Sequence, residues 1–271
     1  MREVCAPRKD YQMSELKTLT FEEEAADIKD RVELYWTKRA PSFFEQRRDE
    51  IDSDKAGIWT EEILKHIPDN KDIRILDVGC GAGFFPVLLG RLGYDVTGID
   101  LTEEMIGYSN KMIDLYGLDR SKVRVQQGDA ENPAFPDDTF DVIVTRNLTW
   151  TLPHPIDAYT QWGRILKKGG VLLNFDSEYA KEIHSGDGHK YDSLKNPAHD
   201  KISQEMHEEC HRIYHMLTIS ALSRPEWDVE VLAGAGFKEI ELDKNFYTKV
   251  FATCDRFYIP NKMFMIKAVK S

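Results

Sequence analysis

Five short apolar runs, each followed by a segment of helical pattern or a polar turn, constrain this chain more than any other feature. The runs are residues 73–78 (IRILDV), 95–99 (DVTGI), 123–127 (VRVQQ), 140–145 (FDVIVT) and 171–175 (VLLNF). Most are near-continuously apolar, as strands buried on both faces of a parallel sheet must be. Residues 84–92 read as a helix stopped at Gly93, and the next helix opens with Thr102 as its cap and stops at Gly117. A third opens at Pro155, with Ile156, Tyr159, Trp162, Ile165 and Leu166 on one face. Lys167 and Lys168 suit the negative end of that helix, and Gly169-Gly170 its stop. Such alternation predicts an α/β architecture with right-handed crossovers.

Two helices are expected before the sheet. Residues 21–48 place Ile28, Val32, Tyr35 and Trp36 at three- and four-residue spacing; residues 54–66 put Ile58, Trp59, Ile63, Leu64 and Ile67 on one side. The first twenty residues read as a loose polar arm. Residues 177–224 break the rhythm with polar sequence and then a helical stretch from about 201 to 222. Residues 237–242 and 262–269 read as two closing strands. The expectation is a doubly wound, mostly parallel seven-stranded sheet with N-terminal helices and a helical lid insertion. Its parts are an arm and helix over 1–54, a core over 55–176, a lid over 177–224, and a closing helix and strand pair over 225–271.

Composition narrows the function classes. The 271 residues are 41% hydrophobic and 31% charged, enough for one large core. Lys and Arg number 36 against 47 Asp and Glu, a net charge of −11, which argues against a broad nucleic-acid surface. No apolar run approaches a membrane span and the N-terminus carries no apolar signal region. Cys5, Cys80, Cys210 and Cys254 form no CxxC pair, as expected of reduced thiols in a cytoplasmic protein.

The most informative segment is ILDVGCGAG at residues 75–83, a strand running into three glycines and then a helix. Glycines let a ligand approach the backbone, and the helix start supplies free N–H groups. The glycines are spaced GxGxG; the nicotinamide and flavin pattern GxGxxG would need its third glycine where Phe84 stands. Asp100 ends the next strand, where a carboxylate can accept from a ribose diol. Asp129 follows the third strand, where a carboxylate can accept from a purine amine.

With these motifs the chain resembles the class I S-adenosylmethionine (SAM)-dependent methyltransferases. DVGCGAG is similar to their glycine-rich first motif, GID to their ribose-binding acid and GDAEN to their adenine-contacting segment. FDVIVTRN and RILKKGGVLLNFD match their fourth and fifth strands. The resemblance covers roughly residues 55–176 and the final strand pair. It implies SAM as cofactor and S-adenosylhomocysteine (SAH) as product. It places Asp77, Gly79, Cys80, Gly81 and Gly83 at the methionine end, Asp100 and Leu101 at ribose and adenine, and Asp129 and Ala130 at the adenine edge. Asn147 would lie between cofactor and acceptor, and Tyr35, on a helix folded over the cofactor, near the methionine part.

The acceptor half is less legible. Methyl transfer needs the acceptor held in line with the S–CH₃ bond. The segment RNLTWTLPHP at 146–155 follows the fourth strand, where acceptor and methyl would meet. Arg146 could pair with a substrate carboxylate and Trp150 could stack on substrate or sulfonium, or Trp150 could be core. Arg39, on the first helix, is a third substrate candidate. The segment lacks the [DN]PP[YF] pattern of amino-methylating enzymes of nucleic acids. Residues 207–211 read HEECH, so His207 and His211 share a helix face, continued by His215. HExxH can bind zinc with Glu208 as base, but the glycine-turn core already accounts for the chain, and the plainer reading is a histidine-rich rim on the lid. His211, His207 and His154 are the candidates for a catalytic base, and no metal is expected. The expected function is methyl transfer to a small molecule, with no nucleic-acid or membrane partner. The alternatives are a non-catalytic SAM-binding protein and a zinc-dependent hydrolase.

Overall fold

A computed structural model describes residues 21–179, 202–253, 255–257 and 261–271. The polar arm, Cys5, Cys254 and the loop histidines His184, His189 and His199 lie outside the described residues. Helix α1 (Phe21–Ile51) and α2 (Asp54–Leu64) come first. Then β1 (Arg74–Val78), α3 (Phe84–Arg91), β2 (Asp95–Asp100), α4 (Glu103–Leu115) and β3 (Val123–Gln127) alternate. They are followed by β4 (Phe140–Arg146), α5 (Pro155–Ile165) and β5 (Leu166–Ser177). The chain closes with α6 (Gln204–Met216), α7 (Glu226–Gly234), β6 (Phe237–Asp243), α8 (Tyr247–Val250) and β7 (Met263–Lys270).

The seven strands form one sheet in the order β3-β2-β1-β4-β5-β7-β6. β1 to β5 are parallel, and β7 runs antiparallel between β5 and β6. The chain steps outward from β1 to β3, then returns to β4 on the other side of β1. That reversal opens a crevice at the carboxyl ends of β1 and β4, the place where such sheets bind ligands.

Alternation along the strands divides the core. Ile75, Val142, Val144, Leu173 and Phe175 face one way, onto Trp59, Phe85 and Phe246. Leu76, Val78, Ile143 and Leu172 face the other, onto Tyr159, Trp162 and Leu232. β1, β4 and β5 thus feed two hydrophobic layers, as a sheet covered on both faces requires. A third cluster joins Val32 and Tyr35 of α1 to Ile213 of α6 and to Leu217 and Ile219 beyond it. No described helix is long and apolar enough to cross a membrane.

Four local expectations are corrected. Leu64 and Ile156 are 38% and 54% exposed, outside the buried stripes of their helices. Thr102 stands at the N-cap of α4, but its side chain makes no capping bond. Lys167 and Lys168 do not end α5: the helix stops at Ile165 and β5 begins at once, with Lys167 paired to Asp141 at 2.8 Å.

Packing between α3 and β3 generates one prediction. A Cβ on Gly90 would stand 2.5 Å from Val123 Cγ2 and 3.2 Å from Leu118 Cδ1. In an open helical site Gly→Ala stabilises by about 0.5–1 kcal/mol. Here Gly90→Ala is expected to cost about 1–3 kcal/mol by overpacking. The midpoint of urea unfolding reads it, and an unchanged or raised midpoint contradicts this contact.

Candidate active site

The glycine turn leaves β1 and is held against β2. The N–H groups of Gly79 and Cys80 both donate to Ile99 O, at 2.8 and 2.9 Å. Gly79 and Gly81 have φ of +70° and +51°, a region L side chains avoid. Space is as restrictive as backbone. A Cβ on Gly79 would stand 2.7 Å from Leu148 Cδ1, and one on Gly81 3.0 Å from the Phe43 ring. Asp100 fastens the turn from the end of β2: its carboxylate accepts from Gly81 N–H at 2.9 Å and Thr102 N–H at 3.0 Å. Burial holds this carboxyl above the ordinary range, against the pull of those two N–H groups.

Over the turn lies a cavity of about 1210 Å³, counting the part open to solvent. Gly79, Gly81, Asp100, Leu101, Asp129 and Ala130 border it from the ends of β1, β2 and β3. Lys29 of α1 reaches across to pair with Asp129 at 2.9 Å and with Glu131. Asn147, Leu148 and Trp150 border it after β4, and Tyr35, Trp36, Arg39 and Phe43 from α1. Asn147 takes φ +54°, and its side-chain Oδ1 is buried without a partner.

Trp150 belongs to both core and cavity wall. It is 8% exposed, stacks on Tyr214 of α6 with centroids 4.8 Å apart, and meets Tyr179 at 5.0 Å and Trp36 at 6.5 Å. Its turn is pinned from behind. Asp176 accepts from Trp150 N–H at 3.0 Å and from the Thr149 hydroxyl, and Arg224 bridges Asp176 to Asp228.

Several expected site residues stand elsewhere. Asp77, Cys80 and Gly83 do not border the cavity. Asp77 is the last residue but one of β1, 2% exposed; burial and then the Asp100 carboxylate push its pKa well above the usual range, against Arg146. Cys80 turns under the loop, its sulfur 2.9 Å from the Cβ position of Gly98, and Gly83 packs on Ser109 of α4. Arg146 borders the cavity, but its guanidinium is already taken: it donates to both Glu50 oxygens, at 3.0 and 3.2 Å, and lies over the Trp59 ring at 4.2 Å. The three histidine candidates fall outside the cavity. His154 N–H donates to Glu131, and its ring nitrogen lies 3.4 Å from the same carboxylate. His207 faces Ser203 O at 3.1 Å. Burial, then His215 and His207, pull His211 below the usual imidazole range. Among the described residues no three His, Cys, Asp or Glu side chains are grouped as a metal ion would require.

Sequence reading missed most of the α1 wall: Lys29, Val32, Glu33, Phe43, Gln46 and Arg47. The signal was present as a run at helical spacing. It also missed Tyr179, two residues past β5, and Cys210 and Tyr214, which the folding of α6 against α1 brings in.

Residues 76–174 match a sequence family described as a methyltransferase domain. An uncharacterized methyltransferase of Bacillus subtilis, YcgJ, is 33% identical over 132 residues, 48% of this chain and 51% of that protein. The chain spans about half the length of the curated relatives it first matches. A SAM-dependent methyltransferase from Aquifex aeolicus superposes with TM-score 0.53 at 19% identity, covering 84% of this chain and 98% of that one. Phosphoethanolamine N-methyltransferase 2 of Haemonchus contortus, solved with SAM, superposes with TM-score 0.56 at 16% identity, covering 83% and 60%.

The Glu50 cluster generates the prediction of this site. Burial alone would raise the Glu50 carboxyl; Arg146 and Arg47 outweigh it and hold it below the usual range. Removing the carboxylate leaves two buried guanidiniums uncompensated, so Glu50→Gln is expected to cost about 3–5 kcal/mol in chemical unfolding. A depressed folded pKa contributes stability above the unfolded value, near about 4.3 for Glu, and loses it as pH falls through the folded value. The gap between wild type and variant should therefore be full at pH 7 and shrink below about pH 4. A gap that does not change with acid contradicts an ionised Glu50.

Proposed function

We propose that the chain is a class I SAM-dependent methyltransferase and that it transfers the SAM methyl group to a small-molecule acceptor in the aromatic part of the cavity. One observation carries this reading. The glycine turn, the Asp100 carboxylate and the Asp129-Ala130 loop border one cavity together, under a helix that closes it from above. The residues present fit the cofactor. Side chains at Gly79 and Gly81 would fill the cradle, and Asp100 is fixed by two backbone N–H groups with lone pairs to spare.

In this reading Gly79 and Gly81 lie along the methionine end and Asp100 accepts from the ribose hydroxyls. Leu101, Ala130 and Asp129 flank the adenine, the last sharing its charge with Lys29. Asn147 and Tyr35 stand between cofactor and acceptor. When bound, SAM supplies a methyl group activated on a sulfonium. The chain's own contribution is to orient the acceptor and exclude water, and orientation of this kind can be worth about 7–11 kcal/mol of barrier. Trp36, Trp150 and Tyr214 form the apolar walls that do so. Burial raises the pKa of Tyr35, Cys210 and Tyr214, so these groups stay protonated near neutral pH. They serve as walls and hydrogen-bond donors.

Isothermal titration with SAM tests the map. Asp100→Ala removes charge-assisted hydrogen bonds and is expected to weaken binding about tenfold or more. His211→Ala, outside the cavity, should leave affinity within about threefold. Wild-type protein that takes up no SAM, or equal losses in the two variants, would sink the reading. Turnover of SAM to SAH with a metabolite mixture separates an enzyme from a SAM-binding protein.

A further inference from the structure

The charges around the cavity are segregated. At the end formed by β2 and β3, Glu33, Asp100 and Asp129 stand against Lys29. At the other end three guanidiniums, Arg39, Arg47 and Arg146, border the same space. One carboxylate, Glu50, is shared by Arg47 and Arg146. Asp77 lies near Arg146, but its carboxyl is pushed well above the ionising range of an ordinary aspartate. In a protein of net charge −11 this is a local excess of positive charge, set inside an aromatic wall.

Arg39 carries that excess. It is 5% exposed and forms no ion pair among the described residues. Its Nη1 donates to the Ser42 hydroxyl at 2.6 Å, and its Nε is buried without a partner. A hydroxyl does not balance a buried cation, and such a charge is costly until an anion joins it. Burial and the nearby Arg47 pull its pKa down, against the Tyr35 hydroxyl. Arg39 sits one helical turn beyond Tyr35 and Trp36, beside Cys210 of α6, and so faces the aromatic end of the cavity. Trp36 links it to Phe43 at 5.4 Å and to Trp150 at 6.5 Å. A planar guanidinium beside flat aromatic surfaces matches a ligand that is flat and carries a carboxylate at its edge.

We infer, resting on the methyl-transfer reading above, that the acceptor is an aromatic acid whose carboxylate pairs with Arg39 while its ring lies against Trp150 and Trp36. The carboxylate completes the half-compensated arginine cluster, and the aromatic wall removes the ring from water. Selection against uncharged analogues follows, because they leave the Arg39 cation unpaired.

Binding to the SAH-saturated protein tests this with two matched pairs of probes. They are 4-hydroxybenzoate against 4-hydroxybenzamide, and indole-3-acetate against indole-3-acetamide. In wild type at least one acid is expected to bind about tenfold or more tightly than its amide. Arg39→Gln should abolish that preference, and Arg39→Lys, which keeps the charge and loses the fork, should retain part of it. Both variants should bind SAH within about threefold of wild type, which also certifies their folding. The inference is overturned if acids and amides bind alike, if neither acid binds, or if the preference survives in Arg39→Gln. It is also overturned if SAH affinity falls as far as acid affinity in the folded variants, since Arg39 would then hold the cofactor's own carboxylate. Wild-type protein that takes up no SAH is a different result: it rejects the methyl-transfer reading itself.

Discussion

A single buried carboxylate ties the walls of the cavity to one another. Glu50, at the end of α1, accepts from Arg146 of β4, from Arg47 one turn back, and from the Trp59 indole of α2 at 3.1 Å. Through it the helix that roofs the cavity is joined to the strand that floors it and to the aromatic core beneath. Trp59 in turn packs against Phe84, Phe85, Phe175 and Phe246. The arrangement is electrostatic at its centre and apolar at its margin, so the ions gain strength from a low dielectric that the rings maintain.

How much could be read beforehand depended on whether a signal was local. Strands β1, β2 and β4 were legible because parallel strands buried on both faces are short apolar runs with turn residues at their ends, and the half-exposed edge strand β3 through its Val123 and Val125. The start of β5 was not. Its Lys167, Lys168, Gly169 and Gly170 carry the marks of a helix end, yet Leu166 pairs with Phe140 across the sheet, and Lys270 Nζ covers Leu166 O at 2.6 Å. A partner a hundred residues away decided what the local pattern could not.

The same distinction runs through the site. The glycine turn and Asp100 were readable since a close backbone approach needs glycine and β2 must end in the crevice. Arg146 was read as a free cation because its partner Glu50 lies 96 residues earlier. The histidines of HEECH do share a helix, but spacing alone says nothing of what a face meets. The packing of α6 on α1 turns Cys210 and Tyr214 inward and leaves His207 and His211 off the cavity.

Pro41 interrupts α1 between its two cavity-facing stretches, Lys29 to Arg39 and Phe43 to Arg47. A proline has no N–H to give, so the helix lacks one rung there. The rear half is moored by Glu50 in the dry interior. The front half is moored by Lys29 to Asp129 and by Arg31 to Glu209, pairs within reach of solvent ions. The two halves of the roof are therefore tethered by different means, the rear by ions kept dry and the front by an apolar seam with α6 plus pairs that added salt weakens.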